Sequence, residues 1–158
     1  MVNQQNACLT FDGACDAAID MEGRVYQHFL QAIRLVRDEA AVAILRDAAI
    51  DRLQIKHKLE EAALKGKIDQ QSVQGRVPTM ELLLNCCDPS QIDAKADNRK
   101  ALAFAIQLSK DALKFYRDMA DECSGAPMAE LFTVLGDDQT RILQQLEYTY
   151  EEHFLPEN

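Results

Sequence analysis

The chain has 158 residues, which is enough for one domain. Its 17 basic and 26 acidic residues give a formal charge of −9, and no run of Lys or Arg forms the basic face that nucleic-acid binding needs. No apolar run approaches the ~18 residues of a membrane span, and the first ten residues lack the basic start and apolar stretch of a secretory signal. We therefore expect a cytoplasmic protein with no nucleic-acid and no membrane partner.

The five cysteines predict free thiols. Their number is odd and no C-x-x-C occurs, which argues against a zinc ribbon, a rubredoxin-type iron site and a secreted disulfide framework. A chain of this length buries roughly 68–70% of its unfolded surface, so it needs no disulfide to fold. We expect reduced and mostly inert thiols at Cys8, Cys15, Cys86, Cys87 and Cys123.

The first half of the chain predicts a loose leader followed by two helices. We assign the leader to residues 1–11, the first helix to residues 14–36 and the second to residues 38–65. The turn is placed near residues 37–39, because one continuous helix of ~50 residues would span ~75 Å, far more than a compact domain. The apolar face of the second helix is predicted to include Val42, Leu45, Ala49, Ile50, Leu53 and Leu64.

The second half predicts a long connection followed by two further helices. Residues 66–96 contain two Gly and two Pro among polar residues and form the connection, with a short helix or turn at residues 79–84. Helices follow at residues 97–123 and from residue 128 to about 150 or 154, separated by S-G-A-P. This order predicts an all-α single domain, a four-helix bundle with one long crossover between its second and third helices.

The two halves of the helical part resemble each other. On the first helix of each half, A-I-x-x-E ending at Glu22 aligns with A-I-x-x-S ending at Ser109, at an offset of 87 residues. On the second helices, Q-I-K-H at residues 54–57 aligns with D-Q-T-R at residues 138–141, at an offset of 84. Each half is therefore predicted to place one polar residue on its first helix and a pair one turn apart on its second.

This repeat resembles the rubrerythrin branch of the ferritin-like superfamily, over about residues 14–65 and 97–150. The family pattern is A-I-x-x-E with a downstream aromatic pair, then E-x-x-H, given twice. The resemblance implies a ferritin-like four-helix bundle in which these Glu and His side chains hold two iron ions. It also implies iron or peroxide chemistry and a homodimer.

Most of the metal ligands that the family pattern requires are replaced in this chain. The six corresponding positions hold Glu22, Gln54, His57, Ser109, Asp138 and Arg141. Glu22 and His57 keep the family residue, and Asp138 keeps a shorter carboxylate. Arg141 stays protonated and has no lone pair for a metal, while Gln and Ser are weak neutral ligands. The sequence therefore predicts that the di-iron centre is lost and that no cofactor is bound.

Two hypotheses remain for the positions where the family binds metal. In the first, the Arg141 guanidinium takes the place of the metal and bridges Glu22 and Asp138, while the neighbouring polar residues Ser109, Gln54 and His57 complete the hydrogen bonds. In the second, one iron or zinc ion is bound by Glu22, Gln54, His57 and Asp138.

The sequence leaves three functional interpretations. The first is a structural or interaction module with no catalytic residue. The second is a rubrerythrin-type oxidoreductase, which would need an external electron donor because the chain contains no Cys-rich electron-transfer module. The third is an unrelated helical bundle with a chance repeat. We expect a homodimer, for which Ala40 and Ala43 on the outer flank of the second helix could supply the contact.

Overall fold

The computed structural model describes residues 4–68 and 92–154, with side chains from residue 6 onward. These residues form five helices that pack against one another, and no strand occurs within the two ranges. The helices are α1 (Gln4–Leu9), α2 (Phe11–Leu35), α3 (Glu39–Lys65), α4 (Asn98–Glu122) and α5 (Ala129–Phe154). Within these ranges, every helix is too short or too polar to cross a bilayer.

Polar caps define the starts of three of the long helices. The side chains of Thr10, Asp38 and Asp97 each accept a hydrogen bond from the backbone N–H three residues further on, at 2.9–3.0 Å. The turn predicted near residues 37–39 lies at residues 36–38, between α2 and α3. Helix α3 ends at Gly66, whose φ of 74° is favourable for glycine.

The predicted loose leader instead contains a helix that packs onto the rest of the protein. Helix α1 turns back at Thr10, and a Cβ on Gly13 would lie only 2.4 Å from the carbonyl oxygen of Asn6. Only glycine permits this close approach of the two backbones. Residues 4–9 are therefore part of the folded protein rather than a free leader.

The expectation of reduced thiols is wrong for two of the five cysteines. Cys8 of α1 and Cys123 at the end of α4 form a disulfide across 115 residues of chain. Met128 lies beside this bond, because its N–H donates to the Cys8 carbonyl oxygen at 3.1 Å. Structural disulfides are rare in the cytosol, so this bond is an argument against a cytoplasmic location. The cytoplasmic location stays a prediction. The spacing of the cysteines gave no sign of the pairing, because it depends on where α1 packs.

Cys15 is a free, buried thiol, as predicted. Burial raises its pKa to about 11, with a smaller contribution from the carboxylates of Asp12 and Asp16. A thiol with this pKa forms little thiolate near neutral pH and is chemically inert. The Cys86–Cys87 pair lies outside the described residues.

Contacts at the helix ends establish how the long helices run. The N–H of Arg37, between α2 and α3, donates to the carbonyl oxygen of Ala94, just before α4. At the other end, the Cys8–Cys123 disulfide joins α1, which lies just before α2 in the chain, to the end of α4. Helices α3 and α4 therefore start at the same end of the protein, and α2 runs antiparallel to α4.

These directions agree with the predicted crossover, which stays a prediction. Because α3 and α4 start at the same end, the end of α3 and the start of α4 are separated by about the length of α3, about 40 Å for 27 residues. The roughly 30 residues between the two helices are long enough for that path. The connection was predicted at residues 66–96, and its central part, including the short helix predicted at residues 79–84, lies outside the described residues.

Helix α3 presents a different face to the core from the one predicted. Leu45 and Ala49 are buried as expected, but Ile50 and Leu53 are each 44% exposed and Leu64 is 90% exposed. The buried residues of α3 are Ala41, Leu45, Ala49, Arg52, Leu59 and Ala62. The charged Arg52 lies in the middle of this face. Because a charged residue interrupts its apolar pattern, the face was not recognised from the sequence.

Candidate functional site: a central polar cluster

Each long helix contributes one buried polar side chain to the centre of the protein. These are Glu22 from α2, Arg52 from α3, Ser109 from α4 and Gln139 from α5, and none is more than 2% exposed. Tyr116 of α4 joins them and is also 2% exposed. We call these five residues the central polar cluster.

The Arg52 guanidinium connects the cluster. Its Nη1 donates to the Glu22 carboxylate, at 3.1 Å from Oε2 and 3.3 Å from Oε1, and to Gln139 Oε1 at 2.5 Å. Its Nη2 donates to Ser109 Oγ at 3.1 Å. Arginine suits this position because its planar fork presents five donors and cannot lose its proton.

Tyr116 completes the coordination of the buried carboxylate. Its hydroxyl donates to Glu22 Oε1 at 2.7 Å. Burial raises the pKa of Tyr116 well above its ordinary value, and the nearby Glu22 charge raises it further. The hydroxyl therefore remains protonated and serves as a donor. Glu22 thus has both a compensating cation and a neutral donor, which a buried carboxylate requires.

The arginine predicted to take the metal's place was the wrong one. Arg141 donates to Asp138 at 2.7 Å within α5, as expected, but its carboxylate partner is 53% exposed rather than central. The guanidinium bound to Glu22 belongs to Arg52. Burial raises the pKa of Asp138, an effect that Arg141 partly offsets.

The structure does not bring the four predicted metal ligands together. Glu22 is buried in the central polar cluster, whereas Gln54, His57 and Asp138 are exposed. Gln54 lies two residues after Arg52, a rotation of about 200° around the helix axis. In the described ranges, no group of three or more His, Cys, Asp or Glu side chains is placed to hold a metal ion.

The sequence contained a signal for Arg52 and Gln139 that the earlier alignment missed. The two residues are 87 positions apart, the same offset that relates Glu22 to Ser109. Applied to the second helices, this offset aligns D-R-L-Q-I at residues 51–55 with D-Q-T-R-I at residues 138–142. The offset of 84 shifts the pairing by three residues, about one turn, and selects the exposed Gln54, His57 and Asp138 together with the half-buried Arg141.

A second buried ion pair lies outside the cluster. Lys110 Nζ is 3.6 Å from Glu147 Oε1, and the two side chains are 10% and 0% exposed. Neither the ammonium nor the two carboxylate oxygens has a hydrogen-bond partner among the described residues. Burial raises the pKa of Glu147, and Lys110 opposes this effect.

A cavity of about 520 Å³ opens between α3 and α5 and reaches the central polar cluster. Glu22, Tyr116 and Gln139 form part of its lining. Its apolar wall comes from both helices and includes Ile55, Leu59, Ala62, Val134, Leu135 and Ile142. Pockets for small organic molecules have similar volumes and a similar mixture of apolar wall and few polar groups.

Comparison with known proteins finds no relative for this chain: no family model, no curated protein and no solved structure matches it significantly. Any functional assignment therefore depends on the geometry of the central polar cluster and of the cavity beside it.

Proposed function

We propose that this protein is a ferritin-like four-helix bundle without a di-iron centre, and that it acts as a structural or interaction module rather than as an enzyme. The observation that carries the proposal is the Arg52 guanidinium, which bridges Glu22, Ser109 and Gln139 at the centre of the protein. A permanent cation there binds the carboxylate that would otherwise be available to a metal.

Two further observations support the ferritin-like assignment. The polar residues of the two halves follow a single offset of 87, which relates Glu22 to Ser109 and Arg52 to Gln139. Helices α3 and α4 start at the same end, which agrees with the long crossover of ferritin-like connectivity.

The same offset explains why a di-iron centre is not expected. The positions that correspond to E-x-x-H become R-L-Q-I at residues 52–55 and Q-T-R-I at residues 139–142. Neither half keeps the carboxylate or the imidazole on its second helix. One carboxylate, an amide, a hydroxyl and a phenol beside a fixed positive charge form a poor donor set for two iron ions.

The metal content of the purified protein tests this proposal. After expression in iron-supplemented medium, we expect well below one iron or zinc per chain by elemental analysis, and no peroxide consumption above a buffer control. Two irons per chain would overturn the proposal. One metal per chain that disappears in His57→Ala would instead favour the mononuclear alternative built on Glu22, Gln54, His57 and Asp138.

An interaction module needs a contact surface, and the outer face of α3 supplies one for the proposed homodimer. Ala43 is exposed there, together with Ile50, Leu53 and Leu64, which are 44%, 44% and 90% exposed. Ala43, Ile50 and Leu64 follow one another at intervals of seven and fourteen residues, the spacing of an apolar seam between helices. The neighbouring Ala40 is also exposed.

Light scattering on the eluting protein tests the homodimer. We expect twice the mass of the 17.8 kDa chain, and the mass of one chain for the double variant Leu53→Glu/Leu64→Glu. The control Tyr148→Glu places one such charge on α5, at a side chain 65% exposed, and should remain dimeric. A wild-type protein with the mass of one chain would rule out the homodimer.

A further inference from the structure

The buried end of the cavity between α3 and α5 contains a hydrogen-bond donor without a partner. Gln139 lines the cavity and is 2% exposed, and its Nε2 has no hydrogen-bond partner among the described residues. A buried donor left without a partner costs stability. We propose that this cavity binds a small uncharged organic molecule, with an apolar body and a carbonyl oxygen that accepts a hydrogen bond from Gln139.

Arg52 determines which end of the Gln139 amide is available. Its guanidinium has donors only, so the amide must turn its oxygen toward Arg52. Arg52 is not part of the cavity lining, whereas Gln139 is. The N–H donors of the amide are therefore the polar groups that Gln139 offers to a molecule in the cavity. The matching group on that molecule must be an acceptor.

The charges around the cavity favour an uncharged ligand. At the buried end, the Glu22 carboxylate is already neutralised by Arg52. The other charged residues of the lining are all exposed to solvent and lie away from the buried end; these are Lys58, Lys65, Lys67, Glu61 and Asp138. An anionic headgroup beside Glu22 would have no cation of its own, and burying an unpaired charge is costly.

The apolar walls of the cavity determine the chemistry of the rest of the ligand. Apolar side chains from both helices face each other across the cavity, with Ile55 and Leu59 on α3 and Leu135 and Ile142 on α5. A volume of about 520 Å³ falls within the ~300–1,000 Å³ typical of small-molecule pockets. A carbonyl compound with an aliphatic chain therefore fits within this volume and matches the chemistry of the lining. This binding activity is separate from the proposed interaction role and does not depend on the absence of metal.

The test uses 2-decanone as the probe and the complete 158-residue chain. In a ¹⁵N-labelled sample, we expect the side-chain amide of Gln139 to shift on titration, with saturation at micromolar to submillimolar probe. Decanoate, which has the same chain length but a charged headgroup, should bind at least tenfold more weakly. Absence of saturable binding, or equal affinity for decanoate, would overturn the proposal.

Gln139→Glu separates the hydrogen bond from general hydrophobic binding. The carboxylate still accepts from Arg52 but has no donor, so we expect at least tenfold weaker binding of 2-decanone, measured by calorimetry. Gln145→Glu makes the same change at an exposed position on α5 and should bind as the wild type does. Leu135→Phe, which fills the cavity, should also weaken binding at least tenfold. Unchanged affinity in either Gln139→Glu or Leu135→Phe would contradict the assignment.

A metal-containing protein that still bound 2-decanone would refute the proposed function and leave this inference standing. A metal-free protein that failed to bind 2-decanone would refute this inference and leave the proposed function standing.

Discussion

The protein buries two ion pairs, Glu22–Arg52 and Lys110–Glu147, in very different ways. Glu22 and Arg52 are joined by hydrogen bonds and share donors and acceptors with Ser109 and Gln139. Lys110 and Glu147 lie 3.6 Å apart, and their charged atoms have no hydrogen-bond partner among the described residues. Burying charge is costly in both places, but only the first pair has the hydrogen bonds that offset the cost. We therefore expect the first pair to be essential for stability and the second to be close to neutral.

The largest expected effect comes from removing the cation of the cluster. Arg52→Met keeps similar bulk but leaves the Glu22 carboxylate buried without its partner. We expect the free energy of unfolding, measured with urea, to fall by about 3–5 kcal/mol.

Two further variants show whether that loss comes from the buried charge. Arg141→Met removes an arginine whose Asp138 partner is 53% exposed, and it should change the stability by less than about 1 kcal/mol. Adding Glu22→Gln to Arg52→Met removes the stranded charge and should recover part of the loss. Equal effects of Arg52→Met and Arg141→Met would show that Arg52 is not the centre of the cluster.

Tyr116→Phe tests the neutral donor to the same carboxylate. Removing the hydroxyl that lies 2.7 Å from Glu22 should lower the free energy of unfolding by about 1–3 kcal/mol. The control Tyr148→Phe changes a side chain 65% exposed and should stay within about 0.5 kcal/mol of the wild type. If both variants matched the wild type, the hydrogen bond from Tyr116 would contribute nothing.

Glu147→Gln examines the second pair. The substitution removes the attraction to Lys110 but also the cost of burying the Glu147 charge. The Lys110 ammonium is buried, but its side chain is 10% exposed and its flexible stem can turn the ammonium out to solvent. We expect a stability within about 1 kcal/mol of the wild type, in either direction. A loss as large as that of Arg52→Met would show that the two pairs are equivalent.

The last expected effect is a pH dependence of the same carboxyl group. Burial raises the pKa of Glu147 above its ordinary value of 4.5, so the folded protein holds this proton more tightly than the unfolded chain. The resulting stabilisation is complete below pH 4.5 and is lost as the pH rises through the raised pKa. The wild type should therefore lose stability relative to Glu147→Gln over that interval, by at most about 1.4 kcal/mol per pH unit. Burial also raises the pKa values of Asp51 and Asp138. Subtracting the stability of Glu147→Gln from that of the wild type at each pH cancels their contributions, because both proteins contain them. Parallel pH profiles for the two proteins would contradict this account.

Helix boundaries were largely predictable from the sequence. The helices predicted at residues 14–36, 38–65 and 97–123 correspond to Phe11–Leu35, Glu39–Lys65 and Asn98–Glu122. Boundaries are encoded locally, by capping residues such as Asp38 and Asp97 and by Gly66. Helix α1 was missed because its sequence has no cap or periodicity that distinguishes it from a leader.

The candidate site was only half predictable. Glu22 and Ser109 were singled out correctly because an alignable motif precedes each of them on its helix. Arg52 was overlooked because a buried arginine looks like a surface residue until its partners are known. Exposed Ile50, Leu53 and Leu64 made a more apolar stripe than the true inward face of α3, so hydrophobicity selected the wrong side of that helix.

The sequence by itself determined the local features of this protein: the number, order and ends of its long helices, and the repeat that places a polar residue on each. Only the tertiary structure decided which arginine entered the centre, which cysteines paired and where a cavity remained. The physical reason is that helix formation depends on residues a few positions apart. Arg52 and Gln139, by contrast, meet across 87 residues, and Cys8 and Cys123 meet across 115. Such contacts depend on the rotation and direction of whole helices, which packing determines.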